Sequence, residues 1–66
     1  MMQDLKTYEV FAARPGPHQP LRHVGSVRAS NPKVAPVYAK TMYDEWRWRC
    51  MFVVPRSAII RVIEPA

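Results

Sequence analysis

Residues 14–20 read RPGPHQP, three prolines and a glycine within seven positions. Proline has no backbone N–H and a φ held at about −65°, so this segment can neither extend a β-ladder nor begin a helix. It has to be a loop, and the chain before it must already form an element of its own. That stretch alternates: between Lys6 and Ala13, Tyr8, Val10 and Ala12 share one face while Thr7, Glu9 and Phe11 share the other. The pattern, rich in β-formers, predicts a strand over 6–13. Leu21 to Ala29 reads as extended again, which makes the two segments a hairpin with a long, stiff connection.

Gly25 falls inside the second strand. An interior glycine weakens a strand unless a bulge or a close neighbour needs the space of its missing side chain, so a helix or backbone packed over it is expected. Ser30-Asn31-Pro32 is a helix start: Asn31 can cap free amides with its side chain, and Pro32 at the first helical position loses no hydrogen bond. The helix is expected over 32–46, with Ala35, Tyr38, Ala39, Met42, Tyr43 and Trp46 forming the stripe that lies on the sheet. Pro36 interrupts it in the second turn, where the missing amide and the crowding ring predict a kink or a late first turn. Cys50 to Val54 is a short apolar run suited to a third strand, and Ile59–Ile63, IIRVI, is a short fourth strand or an apolar arm that docks on another chain. The fold class is α+β: a small antiparallel sheet with the helix on one face, in a single domain over 1–66.

One helix covers one face. Tyr8, Val10, Val27, Met51 and Val53 are the expected core, and Phe11, Val24, Phe52 and Val54 fall opposite them. Those four are either buried by another subunit or covered by residues 59–63 folding back. A chain of 66 residues is near the size at which folding alone is marginal, which favours association. Trp46 and Trp48 cannot share one helical face. One belongs to the core and the other, taken as Trp48, to an interface, where tryptophan and arginine are enriched. The candidate interface is therefore Phe11, Val24, Trp48, Phe52, Val54, Ile59 and Ile63, with Tyr8, Gly25 and Asn31 in structural roles.

Ten Lys and Arg against five Asp and Glu give a net charge of +5, which favours acidic partners, phosphate-bearing ligands or nucleic acid. The basic residues are scattered, with only Arg47 and Arg49 closely spaced, so a nucleic-acid tail is disfavoured. Cys50 is the sole cysteine, which excludes an internal disulfide and points to a reducing, cytoplasmic setting. Neither a secretory signal nor a membrane span is read from the chain. His18 and His23 have no second ligand cluster at metal spacing, and Asp4, Glu9, Asp44, Glu45 and Glu64 do not converge on a pocket. No catalytic residue, metal or cofactor is assigned. His23 reads as structural, and Cys50 as a small strand hydrophobe with no base beside it.

Tyr8-Glu9-Val10-Phe11, then His23-Val24-Gly25-Ser26, a helix with Ala35, Ala39 and Tyr43, and Phe52-Val53-Val54 followed by Ser57 and Ile59 form a recognisable series. It resembles the PaaB family, the small B subunit of the phenylacetyl-CoA epoxidase type of multicomponent monooxygenase, over roughly Tyr8 to Ile59. The chain departs from that pattern in Pro36 and in Phe52, where tryptophan is expected. The resemblance implies a non-catalytic subunit that bridges a di-iron catalytic protein and its structural homologue. It also implies structural or interface roles, never iron ligation, for Tyr8, Glu9, Phe11, His23, Val24, Gly25 and Phe52. Two other readings stand beside it: a small basic module that stacks single-stranded nucleic acid on Tyr8, Phe11, Trp46 and Trp48, and a homo-oligomer with a ligand pocket between subunits.

Overall fold

The computed structural model describes residues 4–44 and 47–63. In chain order it contains β1 (Lys6–Ala13), β2 (Arg22–Ala29), α1 (Ala35–Met42), β3 (Cys50–Pro55) and a 3-10 turn over Arg56–Ala58. β1 lies in the middle of a three-stranded sheet of order β2-β1-β3, antiparallel to both neighbours. Tyr8 stands between Val27 and Pro55, and Val10 between Gly25 and Val53. Because side chains alternate across a strand, this register gathers the apolar members of all three strands on one face.

Helix α1 covers that face, giving the α+β architecture expected from the sequence. Tyr8, Val10, Val27, Ala29, Ala35 and Ala39 form the buried cluster, with Val24, Val34, Tyr43, Met51 and Val53 packed against it. Burying a side chain such as Val10 contributes about 1.5–3 kcal/mol, and among the described residues no polar side chain is buried with it. The principal extents, 46 × 31 × 17 Å, are those of two layers only.

The helix starts later than Pro32. Asn31 does cap the incoming turn: its Oδ1 accepts from the backbone N–H of Lys33 at 2.9 Å and of Val34 at 3.1 Å. Its carbonyl accepts from Val34 and Ala35. Pro36 cannot donate to the carbonyl of Pro32, so the regular ladder begins only at Ala35, where Pro36 falls in the first turn and its missing N–H is harmless. The helix ends at Met42, and the Tyr43 N–H donates to the Ala39 carbonyl at 3.0 Å. Its expected extension to Trp46 is not seen at residues 43 and 44, which form a turn; Trp46 itself lies outside the described residues.

The sheet-facing stripe is narrower than expected. Ala35, Ala39 and Tyr43 form it, one row of four-residue steps, whereas Tyr38 and Met42 are 48% and 60% exposed. Two alanines let this short helix lie close to the strands, so a single row makes the contact and the neighbouring row stays in water.

Val24 is also corrected. The register runs Val10↔Gly25 and then Phe11↔His23, a β-bulge with Val24 as the extra residue. The bulge breaks strict alternation and turns Val24 onto the helix side, where it packs against the core. Gly25 lies under the ring of Tyr43: an added Cβ would overlap the tyrosine hydroxyl and come within 2.7 Å of Cζ. That hydroxyl donates to the Ser26 carbonyl at 3.4 Å, so the space above Gly25 holds a tethered side chain.

No fourth strand forms among the described residues. The chain leaves β3 through the 3-10 turn, closed by the Ile59 N–H donating to the Arg56 carbonyl at 3.1 Å. Arg56 is held to Glu9 on β1, so the exit runs toward the middle strand and away from the outer edge of β3. Residues 59–63 neither pair with the sheet nor fold back over its open face; Ile60, Val62 and Ile63 are 87%, 90% and 88% exposed.

Candidate functional site

The uncovered face of the sheet carries Thr7, Glu9 and Phe11 from β1, His23, Ser26 and Arg28 from β2, and Phe52 and Val54 from β3. Phe11 pairs directly with Phe52, and Glu9 with Val54. Directly opposed side chains have Cβ atoms about 4.5–5.5 Å apart, so Phe11 and Phe52 are neighbours on this face. The ring of Phe11 also meets that of His23, with centroids 5.2 Å apart and planes tilted at 45°. Phe11 and Val54 are half-buried by these neighbours, and Phe52 is exposed.

A three-member polar cluster crosses this apolar surface. Glu9 Oε2 accepts from Arg56 Nε at 2.7 Å, and its Oε1 lies 3.0 Å from His23 Nε2. The hydrogen bond from the Arg56 guanidinium holds the Glu9 carboxyl below the usual carboxylate range. The contact with His23 acts in the same direction, while burial opposes both. The carboxylate is therefore charged and anchored at both oxygens, by side chains drawn from each flanking side of β1. Sequence reasoning did not find this cluster. The Glu9–His23 half was accessible in principle, since both residues fall on facing strands of a hairpin, but Arg56 is brought in only by the pairing of β1 with β3.

The expected interface residues divide among separate places. Phe11, Phe52 and Val54 come together on the open face. Val24 is on the other side, in the core. Ile59 and Ile63 belong to the projecting arm. Trp48 stands at a groove between α1 and β3, half-buried, with its indole N–H donating to the Tyr43 carbonyl. The groove has a volume of about 520 Å³, with Pro36, Ala39, Lys40 and Asp44 on the helix side and Trp48 and Cys50–Val53 on the strand side. Tyr8, Gly25 and Asn31 hold the positions described above, in the core, beneath Tyr43 and at the helix entry.

Among the described residues no group of three or more His, Cys, Asp or Glu gathers as metal ligands do, and no helix is long and apolar enough to cross a membrane. The open face is flat and strand-built, an arrangement suited to recognising a surface. Its chemical character is two phenylalanines and a valine on one face with Arg28 and Arg56; phenylalanine and arginine are enriched at protein interfaces. No family model, curated protein or solved structure matches the chain.

Proposed function

We propose that this protein is a non-catalytic accessory subunit that docks through its open sheet face onto larger oxygenase-type subunits, a di-iron protein and its structural homologue. The observation that carries the docking role is the Phe11–Phe52 pair, left uncovered with Val54 on a sheet whose only described helix is committed to the opposite face. A contiguous apolar surface rimmed by polar groups is a general mark of association. The nature of the partner rests on the resemblance of Tyr8–Phe11, His23–Ser26 and Phe52–Val54 to the PaaB pattern. The fold gives these segments a coherent use: Tyr8 and Val10 build the core, Gly25 receives Tyr43, and Glu9, Phe11, His23 and Phe52 make the exposed surface.

The test is affinity purification of the tagged protein from its native cell, with mass spectrometry and iron analysis of what accompanies it, beside the same experiment on Phe52→Asp. Two larger helical proteins with bound iron, recovered with the native chain and lost with the variant, support the proposal. Recovery of nucleic acid instead would overturn it.

A further inference from the structure

Along β1 the open face changes character in steps of two residues. The row through Phe11 is aromatic, with His23 on one side and Phe52 on the other. The row through Glu9 has Ser26 and Val54 beside it. The row through Thr7 has Arg28 on one side. On its other side stands Arg56, which follows Pro55, the partner of Tyr8. Successive rows are about 7 Å apart, so an aromatic end and a basic end lie about 14 Å from each other on one surface. We propose that the basic end is an anion seat, in which Arg28 and Arg56 receive an acidic side chain of the docking partner while Phe11 and Phe52 receive an apolar one. This rests on the docking role proposed above and adds the chemistry by which the partner is recognised.

Among the described residues the titratable groups of this face are the Glu9 carboxylate, the guanidinium groups of Arg28 and Arg56, and the imidazole of His23. They do not reach the surface equally. The Glu9 side chain is 12% exposed and already held at both oxygens, whereas that of Arg56 is 51% exposed. What the face turns outward is therefore cationic. Glu9 engages Arg56 through Nε, which leaves the N–H groups on its two terminal nitrogens as donors in the planar fork that suits a carboxylate. Arg28 is exposed and enters no ion pair among the described residues. An acid placed between the two meets complementary charge, and such a contact fixes the register of an otherwise apolar interface. Spacing agrees with charge. An extended segment repeats its same-face side chains about every 7 Å, the interval between the rows, so an acidic and an apolar residue about four positions apart reach the basic and aromatic ends together.

The test is an NMR titration of the full chain, isotope-labelled, with the capped peptide acetyl-Glu-Thr-Leu-Thr-Leu-amide, whose acid and leucines share one face when extended. The peptide should move the amide signals of Thr7, Arg28 and Phe52 and the Nε–H signal of Arg56 together. The same peptide with Gln for Glu should bind about fivefold more weakly, as expected for loss of an exposed ion pair. That difference should vanish in about 1 M salt, and in a chain carrying both Arg28→Gln and Arg56→Gln whose spectrum shows it folded. No binding by the native chain, equal binding of the two peptides, or a difference that persists in salt would each overturn the anion seat. Inorganic phosphate that displaces the acidic peptide at a lower concentration than the peptide itself requires would also overturn it, by assigning the arginines to a phosphate-bearing ligand. Equal binding leaves the apolar docking surface standing without its seat. Discrimination between the peptides, in a chain that no iron-bearing protein accompanies from the cell, would keep the seat and remove the oxygenase-type partner.

Discussion

On one face of the sheet Tyr8, Val10, Val27 and Ala29 are sealed beneath Ala35 and Ala39; on the other, Phe11, Phe52 and Val54 lie around one charged carboxylate, Glu9. The same strands build both, residue by residue in alternation. Hydrophobicity does not separate the faces, since Phe52 offers far more apolar surface than Ala29. What separates them is the helix. A chain this short contributes one helix to the described fold, and the side that receives it becomes core while the other remains available for recognition. The alanines sit on the covered side because a close helix needs them; the two phenylalanines sit on the side that no described helix covers.

The comparison breaks first, and most severely, at Gly25. Gly25→Val would drive a side chain into the ring of Tyr43 and impose a residue on a backbone φ of +157°. Overpacking of this kind should cost about 3 kcal/mol, much of the stability available to so small a domain, and would appear as a melting temperature lowered by roughly 12–24 °C. An unchanged melting curve would mean that Tyr43 swings away freely and that the covered face is looser than described. Val10→Ala, at a fully buried position, should cost about 2 kcal/mol from lost burial and the residual cavity, read from the urea midpoint.

Asn31→Ala removes the side-chain acceptor for Lys33 and Val34 at the entry to the helix and should cost about 1 kcal/mol in the same measurement. The Glu9 cluster is the next smaller effect, and it depends on pH. The folded-state pKa of Glu9 lies below 4.5, so the carboxylate's contribution is present above about pH 4.5 and is lost as pH falls through the depressed folded value. With Arg56 half in solvent, the pair should be worth no more than about 1 kcal/mol. Comparing urea midpoints of native and Glu9→Gln proteins between pH 3 and 7 should show a gap that closes on the acid side. Phe52→Ala completes the series: the melting temperature should barely move, a change within about 0.5 kcal/mol, while partner capture falls. If it destabilised the isolated chain as much as Val10→Ala, the open face would be a second core and the comparison would fail.

Much of the covered face is legible in the sequence. The proline loop forces the hairpin, alternation in residues 6–13 names Tyr8 and Val10, Ser30-Asn31-Pro32 marks the turn into the helix, and Gly25 announces a close neighbour. The departures have local causes. Counting in twos puts Val24 on the open face, and a bulge changes the count by one. Tyr38 and Met42 fit a helical stripe, but a stripe says which residues lie near one another, not how wide a contact the sheet will take. The Glu9–Arg56 pair joins positions 47 residues apart, and nothing local to either announces the other. The open face was anticipated through its excess of apolar residues, while its polar centre was not.

The central strand is the first of the three described strands, and it binds both of the others. A ribosome therefore delivers the keystone of this sheet before either neighbour exists. The hairpin with β2 can close once residue 29 has emerged, but a two-stranded ribbon is marginal in water. The pairing of Tyr8 with Pro55 waits until residue 55 has emerged as well. In that interval the second edge of β1 is an unfilled template, open to whichever extended segment reaches it first.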